Sequence, residues 1–402
     1  CKMTTKVRSS KFRHLVGKPM QLRDCYGDVT CGNISAESYV IKANAEYFAV
    51  PWKVSGGVCV VPLSQNGAVP EETPLIMNVN DDCETTTVNE FNFCPHDNNL
   101  LAVAGQDGSA ALYRFPAGGL TENVSQAGLR ISASDKRLLG VDWHPTASGI
   151  FFTTAADKTV TFWNSEAGGA ELFKLPQVHK GLLTSTSWNL DGSQLATCAK
   201  DKMLRIFDPR NSQMIAEIGN HTSPKSSRVQ WITGADIIVT TGFTRSNERE
   251  LAAYDPRNLA ERLNTTKLPS SSSTSMLFED ADNQLLFVAG KGDGSINAYE
   301  IESDAPCIHP LSDYKSNTPQ NGMAILPKSS CNIQACEIVR FLKLSGTRVE
   351  PIRIEVPRQE SSFFQDDIFP NTWDLQPTMS ANEWAKGANN PRNLVSLDPQ
   401  AQ

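Results

Sequence analysis

The chain has 402 residues, 40% of them hydrophobic and 20% charged, with a formal net charge of −7. That length supports a large buried core, and that balance excludes a disordered chain. No apolar run approaches the ~20 residues of a membrane-spanning helix, none follows the first basic residues as a secretory signal would, and the acidic excess argues against a general nucleic-acid binder.

The N-terminal segment is basic. Residues 1–23 carry Lys2, Lys6, Arg8, Lys11, Arg13, Lys18 and Arg23 and no acid before Asp24, which leaves −14 on the remainder. A basic arm on an acidic body is a candidate footprint for an acidic partner, and equally a solvated end. Cys1 and Lys2 stand ahead of Met3 and are set aside from the fold.

A repeat organises the rest of the chain. Asp107, Asp157, Asp201, Glu248 and Asp293 recur at spacings of 50, 44, 47 and 45. Six residues after each stands an aromatic: Tyr113, Trp163, Phe207, Tyr254 and Tyr299. Short runs with period-2 alternation lie around them, bounded by Gly, Asn, Asp or Pro. Such a unit is the blade of a WD-type propeller. The acids are read as structural, each fixing the turn between the second and third strands by accepting backbone N–H groups. The aromatics are read as packing between blades. At about 46 residues per unit, residues 37–358 hold seven blades. The first (49–61) and last (337–357) are degenerate. A strand over residues 12–16 is expected to join the last blade and close the ring, since an open blade exposes a sheet edge.

The sequence therefore predicts an all-β, seven-bladed WD40-type β-propeller with a C-terminal extension packed on it. Its divisions are a basic arm with the closing strand (1–29), the propeller (30–358) and the extension (359–402). The extension carries Phe363, Phe364, Phe369, Trp373 and Trp384 without strand alternation, a density that suits a docked tail.

Little in the chain suggests chemistry. The run from Gly290 to Ser295 lacks the spacing of a phosphate loop. His14, His96, His144, His179, His221 and His309 are dispersed, and none pairs with a nucleophile signature. His179 is assigned to a turn network in its blade. Ten cysteines show no paired spacing, so no zinc site is predicted and they are read as free thiols of a reducing compartment. No catalytic, cofactor-binding or metal-binding residue is assigned. Asn-x-Ser/Thr matches at Asn33, Asn123, Asn220 and Asn264 are taken as chance.

Several motifs outside the generic repeat resemble the coronin family of actin-binding propeller proteins. They are Ser10-Lys-Phe-Arg-His14 with Gly17, Cys25-Tyr-Gly-Asp28, Gly290-Lys-Gly-Asp293, Asn321-Gly-Met323, Cys336-Glu-Ile-Val-Arg-Phe341 and Val356-Pro-Arg358, then Phe364-Gln-Asp-Asp-Ile-Phe-Pro370 followed by Glu383-Trp384. The resemblance implies binding to filamentous actin and a role in cortical actin organisation, bundling and motility in the cytoplasm, with actin-regulatory proteins as further partners and no cofactor. It also implies a linker and an oligomerising coiled coil beyond this stretch, so the chain is expected to be monomeric as it stands. Members often carry an arginine where this chain has Thr30. Filament contact would then lean on Lys11, Arg13, Lys18 and Arg23, or on Lys200, Lys202 and Arg205. Thr30 favours an alternative, a scaffold for protein partners with weak or no direct actin binding. A weak phosphoinositide contact through the arm is a further expectation.

Overall fold

The computed structural model describes residues 8–80, 82–359 and 363–401; Lys2 and Lys6 of the basic arm lie outside them. Seven antiparallel sheets follow one another along the chain. Blade one comprises Lys42–Ala43, Tyr47–Pro51, Gly57–Pro62 and Leu75–Met77. Blade two is Val88–Cys94, Asp97–Gly105, Ser109–Arg114 and Leu129–Ser132, and blade three is Leu138–Trp143, Ile150–Ala155, Val160–Asn164 and Ala170–Leu175. Blade four is Leu183–Trp188, Leu195–Ala199, Met203–Asp208 and Gln213–Gly219, and blade five is Arg228–Ile232, Ile237–Phe243, Arg249–Tyr254 and Asn264–Lys267. Blade six is Ser275–Asp280, Leu285–Gly290, Ser295–Ile301 and Ile308–Pro310. Blade seven is Gly322–Ile325, Glu337–Ser345, Arg348–Glu355 and, from the N-terminal arm, Val16–Pro19. The first strands of blades seven and one pack together, which closes the ring.

Burial explains the sequence pattern. The second strands are covered on both sides by neighbouring blades, so every residue of Ile150–Ala155 and Leu285–Gly290 is buried; the latter run is apolar throughout, and the former is interrupted only by Thr153 and Thr154. The outermost strands face solvent, and Gln213–Gly219 is mostly exposed. All five repeat aromatics are buried at the interfaces.

Ring closure corrects one expectation. The closing strand is Val16–Pro19, paired antiparallel from Val16↔Glu355 to Pro19↔Ile352, and not residues 12–16. Phe12, 1% exposed, and Leu15 instead drop into the core between blades six and seven, against residues such as Phe287, Phe341 and Ile354. Their burial turns the chain before pairing begins. Farther on, Tyr26–Gly27 pairs with Val349 of blade seven and with Gly67–Ala68 of blade one, joining the last blade to the first.

Each blade is a meander, so its turns divide between two faces. The turns joining second to third strands, and the linkers from one blade to the next, emerge on what we term the upper face. The turns joining first to second and third to fourth strands emerge on the lower face. The extension lies across the lower face. It holds a short pair, Thr372–Trp373 with Leu394–Val395, and a short helix, Ala381–Ala385. Ser380 and Glu383 start that helix with reciprocal side-chain to backbone bonds.

Candidate functional site

The recurring acids act at the upper-face turns. Asp107 and Asp157 accept the backbone N–H two residues on, at 3.0 Å from Ser109 and 2.9 Å from Thr159. Asp201 accepts from the Met203 and Lys180 N–H groups at 3.2 and 2.9 Å. His179, buried, places Nδ1 3.0 Å from Asp201 and Nε2 2.8 Å from the Thr197 hydroxyl. Burial pushes the Asp201 carboxyl up, but the Arg205 guanidinium and His179 overcome it and hold the group below its ordinary value. Asp293 receives Arg249 at 2.8 Å. Glu248 departs from this pattern. It is half exposed and pairs with Lys267 at 3.2 Å. In blade five the buried role falls to Glu250, 2.8 Å from His221, whose other nitrogen is 2.9 Å from Thr240. The regular spacing drew attention to Glu248, whereas burial selects the acid two residues later.

The basic candidates do not form one site. Lys11 and Arg13 lie at the lower side of blades six and seven, where Lys11 donates to the Asp367 carbonyl and Arg13 to the Arg8 carbonyl. Lys18 stands on the outer edge of blade seven, 2.6 Å from Glu355. Arg23 is 79% exposed beside that edge. Arg205 is only 11% exposed and is held by Asp201 at 2.8 Å and Glu217 at 2.9 Å, so the blade interior occupies it. Lys200 and Lys202 are exposed on the upper face in the Asp201 turn.

Around that pair the fold assembles a surface that the sequence reading missed. Lys136 and Arg137 come from the linker between blades two and three, Lys158 from the turn of blade three, and Lys180 from the next linker. Backbone bonds draw these segments together: Ala156 donates to the Arg137 carbonyl and Lys200 to the Leu182 carbonyl, both at 2.9 Å. None of these side chains, nor those of Lys200 and Lys202, forms an ion pair among the described residues. Asp135 is an exposed acid among them, while Asp157 and Asp201 are occupied in their turns. Lys158 and Lys202 have φ of 71° and 67°, matching the position that Gly108 fills in blade two with φ of 84°. A glycine is unstrained in that conformation and a lysine is not. A signal for this surface did exist in the sequence, since a base directly follows the turn acids of blades three and four, Lys158 after Asp157 and Lys202 after Asp201. Arg137 and Lys200 also border a cavity of about 410 Å³ in the channel.

The lower face is closed by the extension. Trp384 is fully buried between blades three and four, its ring within 4.8 Å of His144 and 5.7 Å of Phe173, centroid to centroid. Its indole N–H donates to the Gly192 carbonyl at 3.1 Å. His144 Nδ1 accepts the N–H groups of Thr146 and Ala147, so its proton sits on Nε2 and donates to the same carbonyl at 3.0 Å. Burial drives the His144 pKa down to about 3. His96 reaches the Leu375 carbonyl at 3.0 Å. Among the described residues no cluster of ligands could hold a metal ion, and no helix is long and apolar enough to cross a membrane.

Family models match three stretches: a domain of unknown function (DUF1899) over residues 5–68, a WD domain, G-beta repeat over 171–208, and a type of WD40 repeat over 349–392. Coronin-A of Dictyostelium discoideum is 36% identical over 397 residues, covering 98% of this chain and 87% of that protein. Coronin-2A of Homo sapiens is 33% identical over 402 residues, covering 98% and 75%. The solved WD40 domain of Toxoplasma gondii coronin superposes with a TM-score of 0.89 at 29% identity, over 96% of this chain and 98% of that one. A chain of the mitotic checkpoint complex, with a TM-score of 0.64 at 13% identity over 89% and 99%, shares the fold alone.

Proposed function

The chain belongs to the coronin family, and from that premise we propose that it is a noncatalytic actin-filament-binding protein of the cytoplasm and cell cortex, organising filaments in bundling and motility. The observation that carries the reading is the upper-face arc of unpaired bases about Lys200 and Lys202, on a chain whose net charge is −7. Filaments are acidic, so such an arc orients the encounter and weakens with salt. The arm residues contribute less, because Lys11 and Arg13 already serve carbonyls beside the extension and Lys18 serves Glu355.

A second reading rests on Thr30. It is half-buried on the upper face, with its hydroxyl on the Asp28 carbonyl at 3.3 Å and its own carbonyl accepting from Lys53 at 3.1 Å. It offers no cation where the family resemblance leads one to expect an arginine, which favours a scaffold gripping other proteins. Co-sedimentation with filamentous actin across a salt series separates the two. The wild-type chain pellets at low salt, and Lys200→Glu with Lys202→Glu weakens pelleting about tenfold or more, whereas Lys11→Glu with Arg13→Glu weakens it less. Absence of pelleting at low salt would leave the scaffold reading.

A further inference from the structure

The lower side of the ring holds a cavity of about 280 Å³ that the filament reading does not use. The first strands of blades one, two and three end there, and Trp373 and Leu375 of the extension form part of its wall. Among the described residues of that wall Asp142 is the one carboxylate, and there is no base. Asp142 Oδ1 accepts the Asn92 amide and the Trp143 backbone N–H, both at 2.8 Å. Its Oδ2 accepts no hydrogen bond and is not sealed from solvent. Asn92 and Asn98 also line the cavity. They give their amide nitrogens to Asp142 and Glu46, at 2.8 and 3.0 Å, and their side-chain oxygens accept nothing. The Trp143 indole N–H is spent on the Asn92 carbonyl at 3.2 Å, and that of Trp373 has no surface toward the cavity. Open oxygens and a single negative charge thus stand among apolar walls that include Phe93, Trp143 and Trp373.

We propose that this cavity binds a primary ammonium group carried on a slim apolar stem. An ammonium brings one positive charge and three N–H donors. Asp142 Oδ2 takes one in a charge-assisted bond, and the open oxygens of Asn92 and Asn98 line the same cavity. A guanidinium fits less well, because its fork pairs with both oxygens of a carboxylate and Asp142 Oδ1 is already occupied. An anion would meet the Asp142 charge with no base to answer it. Burial pushes the Asp142 carboxyl above its ordinary value, and a cation beside it favours the charged form. The neighbouring charges leave the place open. Lys42 stays with Glu90 at 3.9 Å, Arg392 lies over the Trp373 ring at 4.3 Å, and neither borders the cavity. The Cys94 thiol in the wall, pushed up to about 12 by burial, is neutral. Aromatic walls receive the stem, and ring faces attract the cation. Two sources carry this group, a free amine and the lysine side chain of a polypeptide.

Fluorine NMR of para-fluorophenethylamine tests the assignment, with para-fluorophenethyl alcohol as the neutral control and acetyl-lysine methylamide, its side-chain amine free, as competitor. The amine saturates at one per chain and binds about tenfold tighter than the alcohol. Asp142→Asn keeps an oxygen for Asn92 and the Trp143 N–H, removes the charge, and brings the amine to within about twofold of the alcohol. Glu171→Gln makes the same charge change on the exposed outer strand of blade three and leaves affinity within about twofold. Thermal unfolding checks the fold of both variants, and the amine-to-alcohol ratio of the wild-type chain tests the charge without either. The competitor separates the sources: displacement stronger than the amine's own affinity upholds the site as one for a lysine side chain, and weaker displacement upholds it as one for a free amine. Absence of saturable binding overturns the proposal. So does an alcohol that binds as tightly as the amine, undiminished amine binding in folded Asp142→Asn, or an equal loss in Glu171→Gln, which would mean diffuse attraction.

Discussion

Replacing Trp384 by alanine asks whether the extension belongs to the folded core. The side chain is fully buried against His144, Trp188, Phe162 and Phe173. A buried tryptophan removes about 150–250 Å² from water, which at ~25 cal/mol per Å² is roughly 4–6 kcal/mol as an upper bound. Large-to-alanine substitutions in cores cost about 3–5 kcal/mol. The lost indole hydrogen bond adds little, because the Gly192 carbonyl keeps His144 as a donor. The expected loss is therefore about 3–5 kcal/mol, felt first as release of the extension, since His144 and Trp188 then face water. Urea unfolding followed by fluorescence should show a transition at lower denaturant, and limited proteolysis should cut within residues 363–401 before the ring. Trp384→Phe, which keeps an aromatic ring in the site, should recover much of the stability. A loss below about 1 kcal/mol with an unchanged digestion pattern would refute the idea that the indole anchors the extension.

Two further outcomes test the turn networks. Asp201→Asn should cost about 2 kcal/mol by weakening charge-assisted bonds to Arg205 and His179, whereas Glu248→Gln should stay within about 0.5 kcal/mol; paired denaturation curves measure the difference, and equal costs would contradict the assignment of Glu250 to blade five. Burial lowers the pKa of His144 to about 3 and also depresses His179 and His221. An unfolded histidine binds its proton near pH 6.5, so below that point the unfolded chain holds more protons than the folded one. The stability contributed by these three histidines should be full above about pH 7 and fall progressively from about pH 6.5 toward pH 3, by at most ~1.4 kcal/mol per pH unit for each group; the Glu279 carboxyl, pushed up to about 7 by burial, offsets one such group above its unfolded range, and denaturation midpoints that rise on acidification would contradict the net fall.

The repeat was legible in the sequence because blade structure is local. Each unit must end a strand, turn, and bury an aromatic at a fixed distance, so Asp107 with Tyr113 or Asp157 with Trp163 declares a blade without reference to the rest of the chain. Family membership was legible for a related reason, since the motifs at Ser10 to His14 and Phe364 to Pro370 lie outside the repeat. Where the elements meet was not legible. Phe12 reads as part of a strand, yet the gap between blades six and seven takes its ring and delays pairing to Val16. Glu248 fits the spacing, yet burial beside His221 selects Glu250. Arg205 reads as a free base until Asp201 and Glu217 enclose it. The upper-face arc gathers residues from linkers and turns of different blades, distant in sequence and adjacent only once the ring has closed. Charge and periodicity are properties of a segment. A site is a property of the side chains that the packed ring leaves unpaired, and only the tertiary structure decides which those are.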